Sequence, residues 1–195
     1  MRIIMSDNAT TLNPPHTILA LLQHLQLAQP HAQIAVLHFT DDEAAIGLAR
    51  KGVPVHIEPF PELTLTQLLA TCFAGPGTTA LQLEQAIEVV EDALMPARLD
   101  LRQFQVFASG SQAGRLMQWI KDVTGNDNHA LSIENLETVF NIYADATVGA
   151  SSTAKAAESA SGPSPLDDKS LGAYLLLLRE CLHHLHVSQI QLLCD

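Results

Sequence analysis

The chain has few basic residues and no long apolar run, and each shortage excludes a class of protein. Its 195 residues include 10 Lys and Arg against 21 Asp and Glu, for a formal net charge of -11. A surface with that average charge repels polyanions, which argues against binding of extended duplex nucleic acid. No stretch approaches the ~20 apolar residues that cross a bilayer, and MRIIMSDN turns polar too early for a secretory signal. We therefore predict a cytoplasmic protein that does not enter the membrane.

Cysteine is also scarce, because the chain has only three: Cys72, Cys181 and Cys194. An odd number of widely separated cysteines does not form a disulfide framework, and none belongs to a C-x-x-C pair. Three histidines follow Cys181, namely His183, His184 and His186. They could form a local metal site with Cys181, but the macrodipole also favours histidines at a helix end, and we prefer that explanation. We predict reduced, mostly buried thiols and no metal site, and the sequence identifies no cofactor.

Helical and extended patterns alternate along most of the chain. Strands are predicted at 2–6 (RIIMS), 33–40, 53–62, 104–109 and 187–195. Helices are predicted at 16–29, 41–52, 63–74, 78–96, 114–123 and 166–186. The helix at 41–52 (DDEAAIGLARKG) rests on acids in its first turn and a basic pair with Gly52 at its end.

Two segments between these elements are harder to interpret. Residues 137–143 (ETVFNIY) fit a strand, or a helix that begins near Ser132 with Ser132 and Asn135 as caps, and we prefer the strand. Residues 148–165 are rich in Ala, Ser, Gly and Pro and predict a flexible surface segment. The whole chain, 1–195, is predicted to be a single α/β domain, Rossmann-like, with a mainly parallel sheet and helices on both faces.

Two loops of this fold favour ligand binding, because ligands collect beyond the carboxyl ends of parallel strands. Glycines let backbone amides approach a ligand, hydroxyls donate hydrogen bonds, and a helix N-terminus beside an arginine attracts an anion. A turn of small residues also forms without any ligand, for steric reasons alone. The ligand-binding prediction covers Asp7, Asn8, Thr10 and Thr11 after the first strand, and Ser109, Gly110, Ser111, Gly114 and Arg115 after the fourth.

The Ser-Gly turn running into GRLMQWI, together with the polar loop after the first strand, resembles the CRISPR-associated Rossmann-like (CARF-type) sensor domains. The resemblance implies a regulatory domain that binds a small anionic ligand, with nucleotides and cyclic oligonucleotides as candidates. It places Ser109, Gly110, Ser111 and Arg115 in one binding loop. Ser-Gln-Ala-Gly replaces the Gly-Thr-Lys that is usual in that family.

Two other functions compete with the sensor. An enzyme could use Ser109 or Ser111 as nucleophile with Asp7, His38 or His56 as partner, but G-x-S-x-G is absent and we favour a role without catalysis. For His38 and His56, a hydrogen-bonded structural role is the simpler explanation. A structural or interaction protein, acting as a homodimer, is suggested by the apolar AYLLLLRECLHHLH, which could instead be buried within the chain.

Overall fold

The computed structural model describes residues 17–75, 77–148 and 165–194, which form six strands and six helices. The strands are β1 Ile34–Phe39, β2 Ala44–Arg50, β3 Val53–Pro59, β4 Gln105–Gly110, β5 Ala130–Ser132 and β6 Gln189–Leu193. The helices are α1 Ile18–Ala28, α2 Leu65–Thr71, α3 Ala80–Leu94, α4 Ala113–Thr124, α5 Ile133–Val148 and α6 Lys169–His184. Short 3-10 turns occupy Pro61–Leu63, Met95–Ala97 and Pro165–Asp167.

The six strands form one mixed sheet in the order β3-β2-β1-β4-β6-β5. The pairs β1–β4 and β4–β6 are parallel, whereas β1–β2, β2–β3 and β5–β6 are antiparallel. The α/β class is therefore confirmed, but the prediction of a mainly parallel sheet is wrong. Consecutive hairpins build one side of the sheet, and only the connections that include helices return the chain in the parallel direction.

The predicted helix at 41–52 is in fact the strand β2, together with the turns before and after it. Residues 44–47 are all buried, because β2 lies inside the sheet and is covered on both faces. A strand of this kind has no polar face, so its sequence lacks the alternation that identifies a half-buried strand. Gly52 has φ 73°, a value that the β2–β3 turn requires and that also suits a helix C-cap.

The predicted strand at 137–143 lies inside α5, so the alternative that begins near Ser132 is correct. Asn135 N–H donates to Ser132 Oγ over 3.3 Å, and Ser132 N–H donates to Asn135 Oδ1 over 3.3 Å. These reciprocal bonds satisfy two backbone donors at the start of the helix. The buried side chains follow helical spacing, at Leu136, Val139, Phe140 and Tyr143.

Helices cover both faces of the sheet, as predicted. Ile34 and Val36 of β1 pack against α1, whereas Ala35 and Leu37 join the core formed with α2 to α6. Residues 171–178 of α6 are all buried within this core. Burial inside the chain thus accounts for the apolar circumference of α6, which does not supply the surface of a homodimer. The homodimer itself stays a prediction.

Among the remaining described elements, β5 has no counterpart in the sequence prediction, and the others agree with it. The predicted helices at 16–29, 63–74, 78–96, 114–123 and 166–186 are confirmed, and so are the strands at 33–40, 53–62, 104–109 and 187–195. The first predicted strand, at 2–6, lies outside the described residues, and the segment at 148–165 lies almost wholly outside them. Among the described helices, none combines the length and the apolar character that crossing a bilayer demands.

Candidate functional site

The candidate site lies where the parallel strands β1 and β4 end side by side. The register pairs His38 with Ser109 and Phe39 with Gly110, so both strands reach the same edge of the sheet. A Cβ atom at position 110 would lie 2.0 Å from the Phe39 carbonyl oxygen and 2.6 Å from the ring of Tyr174. Glycine is required there because any side chain would push the strands apart. The close approach brings together the two loops that follow these strands.

A buried histidine joins the two strand ends. His38 Nδ1 lies 2.7 Å from Ser109 Oγ, and the two residues are only 5% and 6% exposed. On the other side of the ring, His38 Nε2 lies 3.6 Å from Glu43 Oε2. Burial lowers the pKa of His38, and the Glu43 carboxylate opposes that shift without cancelling it. His38 is therefore a neutral imidazole at pH 7 that stands between a hydroxyl and a carboxylate.

The β1–β2 turn, residues 40–43, is held in place by hydrogen bonds on two sides. Within the turn, Thr40 N–H donates to the Glu43 carbonyl over 2.8 Å, and Glu43 N–H donates to Thr40 Oγ1 over 2.9 Å. From α2, Leu65 N–H donates to the Thr40 carbonyl over 3.0 Å, and Thr66 N–H donates to the Asp41 carbonyl over 3.2 Å. The acidic side chains of this turn therefore project from a fixed backbone.

The β4–α4 turn contributes a hydroxyl and an open helix end. Ser111 Oγ donates to Asp41 Oδ1 over 3.4 Å, which links this turn to the β1–β2 turn. The N-cap residue of α4, Gln112, makes no capping hydrogen bond with its side chain. The first amides of a helix have no acceptor within the helix and attract anions. Gly114 in the first turn has open space where a side chain would be.

Arg115 is engaged with another part of the chain. Its guanidinium pairs with Asp168, the N-cap residue of α6, whose carboxylate also accepts from Leu171 N–H over 3.1 Å. Beside this pair, Gln112 Nε2 donates to Ser170 Oγ over 3.1 Å. The α4 and α6 N-termini are thus tied together, and Arg115 would have to leave Asp168 in order to reach a ligand.

The predicted site residues fall into two groups. Ser109, Gly110, Ser111, Gly114 and Arg115 surround the end of β4 and the start of α4. Asp7, Asn8, Thr10 and Thr11 lie outside the described residues, so the predicted pairing of the two loops stays a prediction.

The β1–β2 turn was missed as part of the site. The predicted helix at 41–52 places Asp41 and Asp42 in its first turn, whereas the structure places them in a hairpin turn. The signal available was His38 at the end of an apolar strand, followed at once by polar and acidic residues. Of the other enzymatic candidates, His56 lies on β3 and pairs with Glu58 at 3.1 Å.

The acids of the turn do not converge as a metal site would. Among the described residues, one group of three has ligand atoms within 4.8 Å of one another, and it consists of Glu91, Glu180 and His184. The combination of Cys181 with the nearby histidines, which we considered from the sequence and did not favour, is not that group. Cys181 is fully buried, and burial raises the pKa of its thiol far above the ordinary value.

Comparison with known proteins gives a match in fold. No protein-family model matches the sequence, and the comparison with curated proteins gives no match. A Ppx/GppA enzyme from Aquifex aeolicus superposes with a TM-score of 0.61 at 13% identity, covering 84% of this chain and 54% of that one. An exopolyphosphatase from Cytophaga hutchinsonii gives 0.62 at 11% identity, covering 86% and 55%. An exopolyphosphatase-like protein gives 0.58 at 12% identity, covering 83% and 55%.

The chain shares its fold with Ppx/GppA phosphatases. It spans about half the length of the structures it matches. This likeness overturns the identification with CARF-type sensor domains, together with the sensor function and the preference for a role without catalysis that accompanied it. The error arose because a strand, a turn of small residues and an apolar helix are common to many α/β folds.

Proposed function

We propose that this chain is part of an enzyme that hydrolyses phosphoanhydride bonds, with inorganic polyphosphate as its substrate class. The observation that carries the proposal is the match in fold to exopolyphosphatases, combined with the groups that meet at the edge of β1 and β4. A hydroxyl, an open helix N-terminus and a carboxylate beside a neutral imidazole lie at that edge. These are the groups that bind a phosphate and activate a water molecule.

In this proposal, each group has a distinct task. The Ser111 hydroxyl and the first amides of α4 hold the terminal phosphate of the polyphosphate substrate. Glu43 accepts a proton from the attacking water as the oxygen bonds to phosphorus, and the bond to the next phosphate breaks. Orthophosphate leaves, and the remaining polyphosphate is one phosphate shorter. His38 is a positioning residue, because its buried ring bonds to Ser109 and lies 3.6 Å from Glu43, while its Nε2 is shielded from solvent.

Charge at the edge determines the form in which the substrate binds. Asp41, Asp42 and Glu43 repel a bare polyanion, so the substrate would bind as its Mg²⁺ complex. Mg²⁺ keeps most of its waters and is bound through one or two carboxylates together with substrate phosphates. Asp41 and Asp42 are both exposed and can meet that cation. The proposal therefore requires Mg²⁺ for both binding and turnover.

The test is release of orthophosphate from polyphosphate by the purified chain, with Mg²⁺ and then with excess EDTA. We expect release that depends on Mg²⁺ and falls at least ~10-fold in Ser111→Ala, the loss expected when one hydrogen bond to a reacting phosphate is removed. Glu43→Gln should reduce release further, because the amide cannot accept the proton.

The matched control is Thr138→Ala, which removes an exposed hydroxyl from α5 that bonds only within its own helix. It should leave phosphate release unchanged. Equal release by the parent chain and by Ser111→Ala and Glu43→Gln would contradict the proposal. The proposal would also be contradicted if the purified protein neither bound Mg²⁺-polyphosphate nor released phosphate from it.

A further inference from the structure

Two glutamates and a histidine meet between α3 and α6, at the opposite end of α6 from the candidate site. Glu180 and His184 are one turn apart on α6, and Glu91 faces them from α3. The length of α6, about 24 Å at the usual rise per residue, separates this cluster from Asp168 and the sheet edge. The cluster therefore has no part in the function proposed above.

The two distances from His184 are close to those between ligand atoms of a tetrahedral metal site. His184 Nε2 lies 3.1 Å from Glu91 Oε1 and 3.6 Å from Glu180 Oε2. Ligand atoms ~2.0–2.1 Å from a tetrahedral Zn²⁺ are themselves about 3.3 Å apart, which lies between the two observed separations. All three ligand atoms lie within 4.8 Å of one another. An ion at their centre would need little movement of the side chains.

A single proton on His184 cannot satisfy both glutamate carboxylates of the cluster. Nε2 of a histidine carries at most one proton, which can be donated to only one of the two carboxylates that face it. Glu180 is 2% exposed, so its carboxylate has little access to water. A divalent cation bonds to both carboxylates and to the imidazole at once.

The charge around the cluster is also unbalanced. Arg179 pairs with Glu180 and, over 2.9 Å, with Glu137, so one guanidinium serves two carboxylates. With Glu91 the network holds three carboxylates against this one arginine, so carboxylates outnumber guanidinium groups around His184. The Glu180 carboxylate is buried and shares its arginine with Glu137, and a divalent cation would compensate it further.

The site has an outer shell and a route of entry. Arg179, which is itself paired with Glu137, holds the Glu180 carboxylate, in the way that hydrogen-bonded partners orient metal ligands. A cavity of about 300 Å³ opens beside His184, with Leu94 and His186 in its wall. A hydrated ion can reach the imidazole from this side and keep a water molecule as its fourth ligand.

We propose that Glu91, Glu180 and His184 bind one Zn²⁺ ion that clamps α3 to α6. The ligand set of one imidazole and two carboxylates is suited to zinc, which favours a tetrahedral arrangement of nitrogen and oxygen ligands. The site stabilises the packing of the two helices and takes no part in phosphate chemistry.

The test is titration of EDTA-treated, desalted protein with Zn²⁺ by calorimetry, and with Co²⁺ by visible absorption, which reports tetrahedral coordination. We expect one equivalent to bind and the melting temperature to rise. His184→Ala and Glu91→Gln should each weaken binding at least ~10–100-fold, the loss that removal of an outer-shell partner already causes. Both residues are partly exposed, so the variants are expected to fold, as circular dichroism would verify.

Two histidines serve as matched controls. His183→Ala removes the neighbouring imidazole, which faces Glu137 at 2.6 Å, and His56→Ala removes an exposed histidine beside Glu58. Both variants should retain stoichiometric binding. The proposal is overturned if Zn²⁺ does not bind, if binding survives in His184→Ala and Glu91→Gln, or if His56→Ala weakens it as much.

Discussion

His38 and His184 each lie beside glutamate, but their surroundings differ in a way that separates their roles. His38 is buried in the sheet, bonds to a neutral hydroxyl and has one carboxylate nearby. His184 is partly exposed between helices and faces two carboxylates. Burial favours an uncharged imidazole. Two carboxylates beside an imidazole, in contrast, offer three ligand atoms to a metal cation. The same side chain is thus suited to position a base in one place and to hold a metal ion in the other.

The elements of the fold that hold the His38 cluster and the His184 cluster in place differ as well. The His38 cluster depends on the spacing of two parallel strands and on the turn that follows β1. The His184 cluster depends on side chains of α3 and α6, two helices that pack together on one face of the sheet. A change that separates β1 from β4 should therefore damage the first cluster and leave the second intact.

Gly110→Ala should have the largest effect. The added methyl group would meet the Phe39 carbonyl and the Tyr174 ring, and overpacking of this kind costs up to about 3 kcal/mol in the free energy of unfolding. Urea denaturation measures the loss. Gly114→Ala is the control, because its methyl group meets nothing and should change stability by less than ~1 kcal/mol. Zinc binding should persist in both variants, and its loss in Gly110→Ala would break the proposed independence of the two clusters.

His38→Ala should destabilise the folded chain by about 2 kcal/mol, because it leaves a cavity and a buried Ser109 hydroxyl without its partner. His184→Ala in metal-free protein should cost less than ~1 kcal/mol, since its pairs are partly exposed. Denaturant titrations of both variants, with Ser109→Ala and the His38/Ser109 double variant, give the coupling energy. Additive losses at positions 38 and 109 would show that the hydrogen bond contributes nothing.

Stability should fall as the pH drops below 6.5. The pKa of His38 is lowered in the folded chain, so between that pKa and 6.5 the unfolded chain binds a proton that the folded chain does not. The contribution of His38 is therefore complete above pH 6.5 and is lost as the pH falls. In His38→Asn this part of the pH dependence should disappear, whereas His56→Asn should keep it. Parallel pH profiles for the parent chain and His38→Asn would refute the assignment.

Ser111→Ala should have the smallest effect on stability, below ~0.5 kcal/mol, because its hydrogen bond to Asp41 is long and exposed. Thermal denaturation should not distinguish it from the parent chain. A large loss of stability would mean that the two turns are held together by this contact, and the drop in phosphate release proposed above would then have a structural cause.

The sequence predicted the α/β class, nine of the twelve described helices and strands, and the loop after β4, because their signals are local. It failed at β2 for two reasons. The strand is buried on both faces, so its sequence does not alternate between apolar and polar residues, and the residues of the flanking turns resemble those at the ends of a helix. It failed at 137–143 because a β-branched and aromatic run outweighed the caps at Ser132 and Asn135. The groups around His38 and His184 could not be predicted, since 71 residues separate His38 from Ser109 and 93 separate His184 from Glu91.

The most direct test of the central claim is a map of backbone amides that respond to Mg²⁺-tripolyphosphate, measured by hydrogen exchange or by two-dimensional NMR. Phosphate binding at the strand ends predicts responses concentrated in residues 40–43 and 110–115, weakened in Ser111→Ala. Responses concentrated elsewhere, for example around Glu91 and His184, or none under conditions where polyphosphate is hydrolysed, would contradict the placement of the site at this edge of the sheet.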